Sequence, residues 1–93
     1  MSLPMRVDWS VSAFDAFQRA QVYARGRVET ADGPAAACVA LPADAPDIEA
    51  AARPLLAAEF AAGRWFHLDA VGDGVYYLDG RYQGPAREPL AVA

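Results

Sequence analysis

The chain has no lysine, one histidine and one cysteine among its 93 residues. Each shortage excludes something. A single cysteine cannot close an internal disulfide, so nothing asks for an oxidising compartment. One histidine and one cysteine cannot build a zinc site, which needs several such ligands, and no metal site is expected. Asp73 and Asp79 lack the spacing of a calcium-binding loop. No Walker loop, G-x-G-x-x-G, H-E-x-x-H or G-x-S-x-G motif occurs, so nothing fixes a reaction, and no cofactor is expected. The eight basic residues are all arginine, set against 12 acids, for a net charge of −4. That balance argues against a general nucleic-acid or anionic-membrane binder, which needs a basic surface. No apolar run reaches the length of a membrane span. The N-terminus lacks a charged region followed by an apolar stretch, so no secretory signal is expected and a cytoplasmic location is.

Alanine is what the chain has in excess, with 22 residues. It inflates the hydrophobic fraction of 55%, so the core must be built largely from small side chains. Arginine without lysine, together with so much Ala, Gly and Pro, fits a high-GC bacterial genome. The length suits one domain, residues 1–93, with a single modest core. Residues 1–4 read as an expression remnant or a disordered lead, and residues 85–93 as an extended tail broken by Pro89.

Arg64 to Arg81 carries the best hairpin signal. Runs rich in aromatic and β-branched residues flank Gly72-Asp73-Gly74. A three-residue loop would oppose Val71 to Val75. One face would then carry Ala70–Tyr76, Leu68–Leu78 and Phe66–Gly80. The other would carry Asp69–Tyr77, His67–Asp79 and Trp65–Arg81. A two-residue loop would set Asp69 against Leu78 and Leu68 against Asp79, which mixes acids with core residues. The apolar face cannot stand alone, because ordering each residue costs roughly 1–2 kcal/mol of backbone entropy. The rest of the chain has to cover it.

Met5, Val7 and Trp9 share one side of a short β-like run. Ser12 and Asp15 loosely resemble a capping box, which predicts a short helix over 13–19 presenting Phe14 and Phe17. Alternation of Val22, Ala24, Gly26, Val28 and Thr30 with polar neighbours predicts a strand, although a helix continuing to Arg25 competes with it. Asp32-Gly33 resembles a tight turn, but Pro34 lacks the N–H to close it. A wider loop at 31–34 would oppose Thr30 to Ala35 and Arg27 to Cys38. Asp44 as N-cap then opens a helix over about 44–62, with Ile48, Ala52, Leu55 and Ala62 as its apolar stripe, widened by Leu56 and Phe60. Pro54 predicts a kink near Arg53, and Gly63 a C-terminal stop. The fold expected is therefore α+β: an antiparallel sheet of four or five strands, one main kinked helix on one face and a short N-terminal helix.

Candidate functional residues follow from the second hairpin face. His67 opposite Asp79, with Asp69 beside it, is half of a general-base arrangement without a nucleophile. Such pairs are also ordinary on a solvated sheet face. Trp65, Tyr77, Arg81 and Tyr82 have the composition of an interface. Cys38 opposite an arginine would have a lowered thiol pKa, although free cysteines are mostly small buried hydrophobes. The function expected is a non-enzymatic interaction or assembly module acting as a homodimer, with a further protein partner allowed. The alternative is a small-molecule binder or small enzyme using His67 with Asp79 or Asp69.

Overall fold

A computed structural model describes residues 2–70, 76–78 and 80–93. Strands β1 (Arg6–Phe14), β2 (Ala20–Thr30) and β3 (Gly33–Pro42) form a meander. A helix, α1 (Ile48–Ala61), follows, and a two-residue strand β4 (Phe66–His67) then adds to the other side of β3. The main sheet is antiparallel with order β1-β2-β3-β4. A single 3₁₀ turn, Leu68–Ala70, leaves β4, and a small ribbon pairs β5 (Tyr77–Leu78) with β6 (Arg81–Tyr82). The class is α+β, with four strands in the main sheet. No described helix is long and apolar enough to cross a membrane.

The period-2 reading of β2 holds, and every second residue from Val22 to Val28 is buried. The helix α1 packs across β1, β2 and β3 on this face. Its buried stripe is Ala52, Leu56 and Phe60, one residue per turn, set against Val22, Ala24, Val28, Ala35, Ala37, Val39 and Leu41. Burying Leu56 or Phe60 is worth about 1.5–3 kcal/mol each. Leu55, which the sequence placed in the stripe, is 46% exposed.

The β2–β3 register differs by two residues from the expected one. Thr30 pairs with Gly33, Val28 with Ala35 and Arg25, not Arg27, with Cys38. The turn is Ala31-Asp32, closed through Gly33, whose φ of 113° suits only glycine. Pro34 then falls in the next pair, where its ring N is not asked to donate to β2, because hydrogen-bonded pairs alternate along the ladder. The Thr30 hydroxyl accepts from the Asp32 N–H and donates to the Gly33 carbonyl, fastening the turn.

The expected N-terminal helix over 13–19 is absent. Residues 6–14 form β1, and 15–19 turn the chain into β2. Asp15 explains the difference. Its carboxylate accepts from the N–H groups of Phe17 and Arg19 and from the Arg19 guanidinium. Gln18 takes the left-handed conformation at φ 60°, completing a three-residue hairpin loop. A carboxylate that closes a turn on its own backbone competes directly with helix formation.

The helix starts later than expected. Asp47, not Asp44, is the N-cap and accepts from the Ala50 N–H at 3.1 Å. The expected kink at Pro54 is also not seen, and α1 runs through it unbroken. Pro54 and Ala50 both face solvent, so the carbonyl that loses its partner is reached by water. Ala52, Leu56 and Phe60 meanwhile hold both halves of the helix to the sheet. Gly63 ends α1 as the sequence predicts, at φ 77°. Its N–H donates to Phe60 and that of Arg64 to Glu59, the pair of bonds of a Schellman stop.

The stretch 64–81 is not the expected hairpin. The tip 71–75 and Asp79 lie outside the described residues. Phe66 and His67 pair with Ala36 and Ala35 of β3, and Tyr77 pairs with Tyr82. Leu78, assigned to the core by the hairpin register, is 59% exposed. The open side of β3 offered Phe66 an alanine surface that a local partner strand could not. Phe66 then stacks on Tyr76 with Tyr77 and Tyr82 nearby, and this aromatic cluster covers part of the sheet face opposite the helix.

Candidate functional site

The structure separates most residues that the hairpin register had brought to one face. Trp65 is 4% exposed and belongs to the core. Its indole N–H donates to the Glu88 carbonyl at 2.6 Å, and the Arg87 guanidinium lies 5.6 Å from its ring. It anchors the tail. His67 is half-buried, edge-on to Trp65, and its Nδ1 finds no partner among the described residues. Asp69 is exposed on the 3₁₀ turn, and Asp79 lies outside the described residues. Tyr77 is opposite Tyr82 instead of Asp69, and the described cross-strand partner of His67 is Ala35 of β3. Arg81 is exposed on the ribbon.

Both ribbon tyrosines are spent on the fold. The Tyr77 hydroxyl donates to the Arg64 carbonyl, and that of Tyr82 to the Pro85 carbonyl. Burial pushes the Tyr77 hydroxyl well above the ordinary tyrosine range. Burial likewise pushes the Cys38 thiol up to about 11, against the opposing pull of Arg25. That shift favours the protonated thiol at neutral pH, the opposite of the lowered value expected from an opposing arginine. Beside it, Asp8, Ser10, Tyr23 and Arg25 line a shallow depression on the uncovered part of this face.

The surface that stands out is at the other side of the sheet, along β1. Trp9 is 50% exposed, Val11 53%, Phe14 70% and Phe17 78%. Trp9, Val11 and Phe14 pair with Ala24, Val22 and Ala20, so all three project on the helix side of the sheet. Near Trp9 the groove is walled by Ala45, Pro46, Asp47 and Ile48 at the start of α1. Phe17 caps the hairpin tip, with the Arg19 guanidinium 5.5 Å from its ring. Scattered exposed apolar residues are ordinary, but here Trp9, Val11 and Phe14 stand in a row along one strand with Phe17 beyond its end.

The strand beneath them is an open edge. The bond from the Ala43 N–H to the Ala20 carbonyl fixes which β2 residues face β3, and the bond from the Asp15 N–H to the Arg19 carbonyl fixes which face β1. By that alternation Arg6, Asp8 and Ser10 bond to β2, while the N–H and C=O groups of Val7, Trp9 and Val11 point away from the sheet. The same outward set begins earlier, at Leu3 and Met5, and there it is satisfied. The tail lies parallel to residues 3–5, with Leu3 donating to Ala91, Met5 to Ala93, and Ala93 to Leu3. Arg53 donates to the Met5 carbonyl. Beyond Met5 no described residue pairs with the outward backbone. Between Val7 and Phe14 there is no proline and one charge, Asp8, and the ladder bulges between Val11 and Ala13, so the protection of this edge is confined to its ends and to Asp8.

The sequence did contain a signal for this edge. Val7-Asp8-Trp9-Ser10-Val11 alternates apolar and polar residues, with apolar side chains at both ends and the middle. The helix expected at 13–19 obscured it by cutting β1 short and assigning Phe14 and Phe17 to a helical face. Among the described residues no cluster of three or more His, Cys, Asp or Glu gathers that could hold a metal ion. Compared with protein-family models, curated proteins and solved structures, the chain matches none.

Proposed function

We propose that this chain is a non-enzymatic interaction module whose contact element is the open edge of β1 together with Trp9, Val11, Phe14 and Phe17. The observation that carries this reading is the coincidence of two features on one strand. Unpaired outward backbone groups at Val7, Trp9 and Val11 and exposed apolar side chains at Trp9, Val11, Phe14 and Phe17 coincide at Trp9 and Val11. Strand addition uses both at once: main-chain bonds supply affinity and alternate side chains supply selectivity. The interface residues proposed from the sequence shift accordingly, from Trp65 and the ribbon tyrosines to Trp9 and its neighbours. A reducing, cytoplasmic setting suits the single, half-buried free thiol of Cys38.

A photoreactive phenylalanine analogue placed at position 9 of the full chain tests the reading in expressing cells. A protein adduct should form from position 9, should be lost on adding Val11→Pro, and should be absent from the exposed position 29. Proline at 11 removes an outward N–H without touching the β1–β2 ladder. No adduct from position 9, or one that Val11→Pro leaves intact, refutes the assignment.

A further inference from the structure

We infer that the partner of this edge is a second copy of the same chain, joined by antiparallel β1–β1 pairing about a two-fold axis at Trp9. The inference rests on the reading of β1 as a contact edge and goes further by fixing both occupant and register. A two-fold axis perpendicular to the sheet pairs residue i with a residue of the same parity, because residues opposite one another in an antiparallel pair share a face. The outward set Val7, Trp9 and Val11 is therefore always set against odd-numbered positions. The question is which ones.

With the axis at Trp9, Val7 meets Val11 of the second copy, Trp9 meets Trp9, and Val11 meets Val7. Each of these three pairs exchanges two N–H···O=C bonds, so every outward group of Val7, Trp9 and Val11 is satisfied. On the helix side all three pairs are apolar. On the other side Asp8 stands opposite Ser10 of the second copy, a carboxylate facing a hydroxyl. Moving the axis to Asp8 opposes two aspartates, which is destabilising. It also sets Val11 against Met5, whose N–H is already held by Ala93. Moving the axis to Ser10 leaves Val7 against Ala13, whose backbone faces β2. Only the Trp9 register satisfies all three residues.

The surroundings fit that register. The ladder slips between Val11 and Ala13, and this bulge bends the strand and turns the Ala13 backbone towards Gln21 of β2, breaking the outward alternation after Val11. Pairing therefore stops after Val11, where the tail of the other copy begins to occupy the edge at Met5. The tail and the bulge together leave an open window of five residues, whose apolar–polar pattern mirrors about Trp9, with Val7 matched by Val11 and Asp8 by Ser10. The product is one continuous eight-stranded sheet, with both helices on the same face and the two Trp9 rings side by side over the axis.

Two measurements test this. Sedimentation of the full chain should give twice the 9.9 kDa chain mass, and Val11→Pro should give the single mass with an unchanged far-ultraviolet spectrum. For the register, Trp9→Cys in a Cys38→Ser background should oxidise to a linked dimer in high yield. Opposed residues in a bonded pair sit about 5.5 Å apart at Cα, within the roughly 4.4–6.8 Å that a disulfide spans. The same background carrying Asp8→Cys should not link, because its opposite residue is Ser10. A wild-type monomer at high micromolar concentration overturns the inference, as does linkage through position 8 in preference to position 9. If Val11→Pro misfolds, the two cysteine variants still decide the register. A monomer whose position-9 adduct to another protein is lost with Val11→Pro would refute the second copy while leaving the contact edge standing.

Discussion

Replacing Gly63 should be the most damaging single change outside the core. Gly63 sits at φ 77°, just past the end of α1. For an L-residue that conformation costs roughly 1–2 kcal/mol. A Cβ built there would lie 2.1 Å from the Arg87 carbonyl oxygen, and the obstacle is backbone, not a yielding side chain. The tail must therefore move. Moving it breaks the 2.8 Å bond from the Arg87 N–H to the Gly63 carbonyl, worth about 0.5–1.5 kcal/mol. It also strains the neighbouring bond from Trp65 to Glu88. The expected loss for Gly63→Ala is about 2–4 kcal/mol, a fall in Tm on the order of 10–20 °C for a domain of this size. Denaturant titration followed by circular dichroism measures it. Gly63→Asn separates the two causes, since asparagine tolerates the left-handed conformation but carries the same Cβ. It should rescue little. If asparagine restores wild-type stability, or if alanine costs under about 1 kcal/mol, the packing of the tail on Gly63 is wrong.

Three further changes probe other parts of the fold. Asp47→Ala should cost about 0.5–2 kcal/mol in the same titration, because the Ala50 N–H loses its cap; an unchanged midpoint would mean that α1 does not begin there. Phe60→Ala should cost about 3–5 kcal/mol, since the side chain is fully buried, and a loss under about 1 kcal/mol would contradict that burial. Cys38 ties stability to alkaline pH. Its thiol is raised from 9.0 to about 11 by burial, so the unfolded chain releases its proton first. The stabilisation from Cys38 is whole below about pH 9 and is lost as the pH rises towards about 11. Cys38→Ser should flatten that part of the stability profile, and alkylation of the folded wild type should stay slow until the same window. Fast alkylation at neutral pH would refute it.

The sequence disclosed what depends on local alternation and capping. Period 2 assigned Val22 to Val28 and the facing residues of β3 to one face, and the faces survived although the register moved by two residues. A shift of two preserves every face, so hydrophobic pattern cannot detect it. It was set by Gly33 opening the strand with a backbone only glycine adopts easily. Gly63 was legible for the same kind of reason. The N-terminal strand was misread because Asp15 can serve a helix start or a turn, and Phe14 and Phe17 fit a helical face as well as an exposed hairpin. Trp65 was misplaced because its environment is made by the tail, more than twenty residues away. The partner of Phe66 was likewise non-local: β3 sits thirty residues earlier. Interactions at such separations leave no periodic trace in either segment.

The distribution of edge protection narrows where this fold can meet another protein. At one side of the sheet, β4 is only two residues long, and very short edge strands are poor templates. The ribbon and its tyrosines lie over the sheet face beside it. At the other side, the tail shields Leu3 and Met5, and the Asp15 turn closes the far end of β1. Between these two coverings Val7, Trp9 and Val11 remain open. Had the edge merely been tolerated, the cheapest protection was a lysine, a proline or an inward charge in this window. The chain has no lysine anywhere, and its seven prolines all lie outside it. The one charge in the window, Asp8, projects on the face away from Trp9, where an opposing Ser10 can accommodate it and an opposing Asp8 cannot. In the proposed self-pairing, a lone aspartate at that place disfavours the register that opposes it to itself and permits the one that opposes it to Ser10.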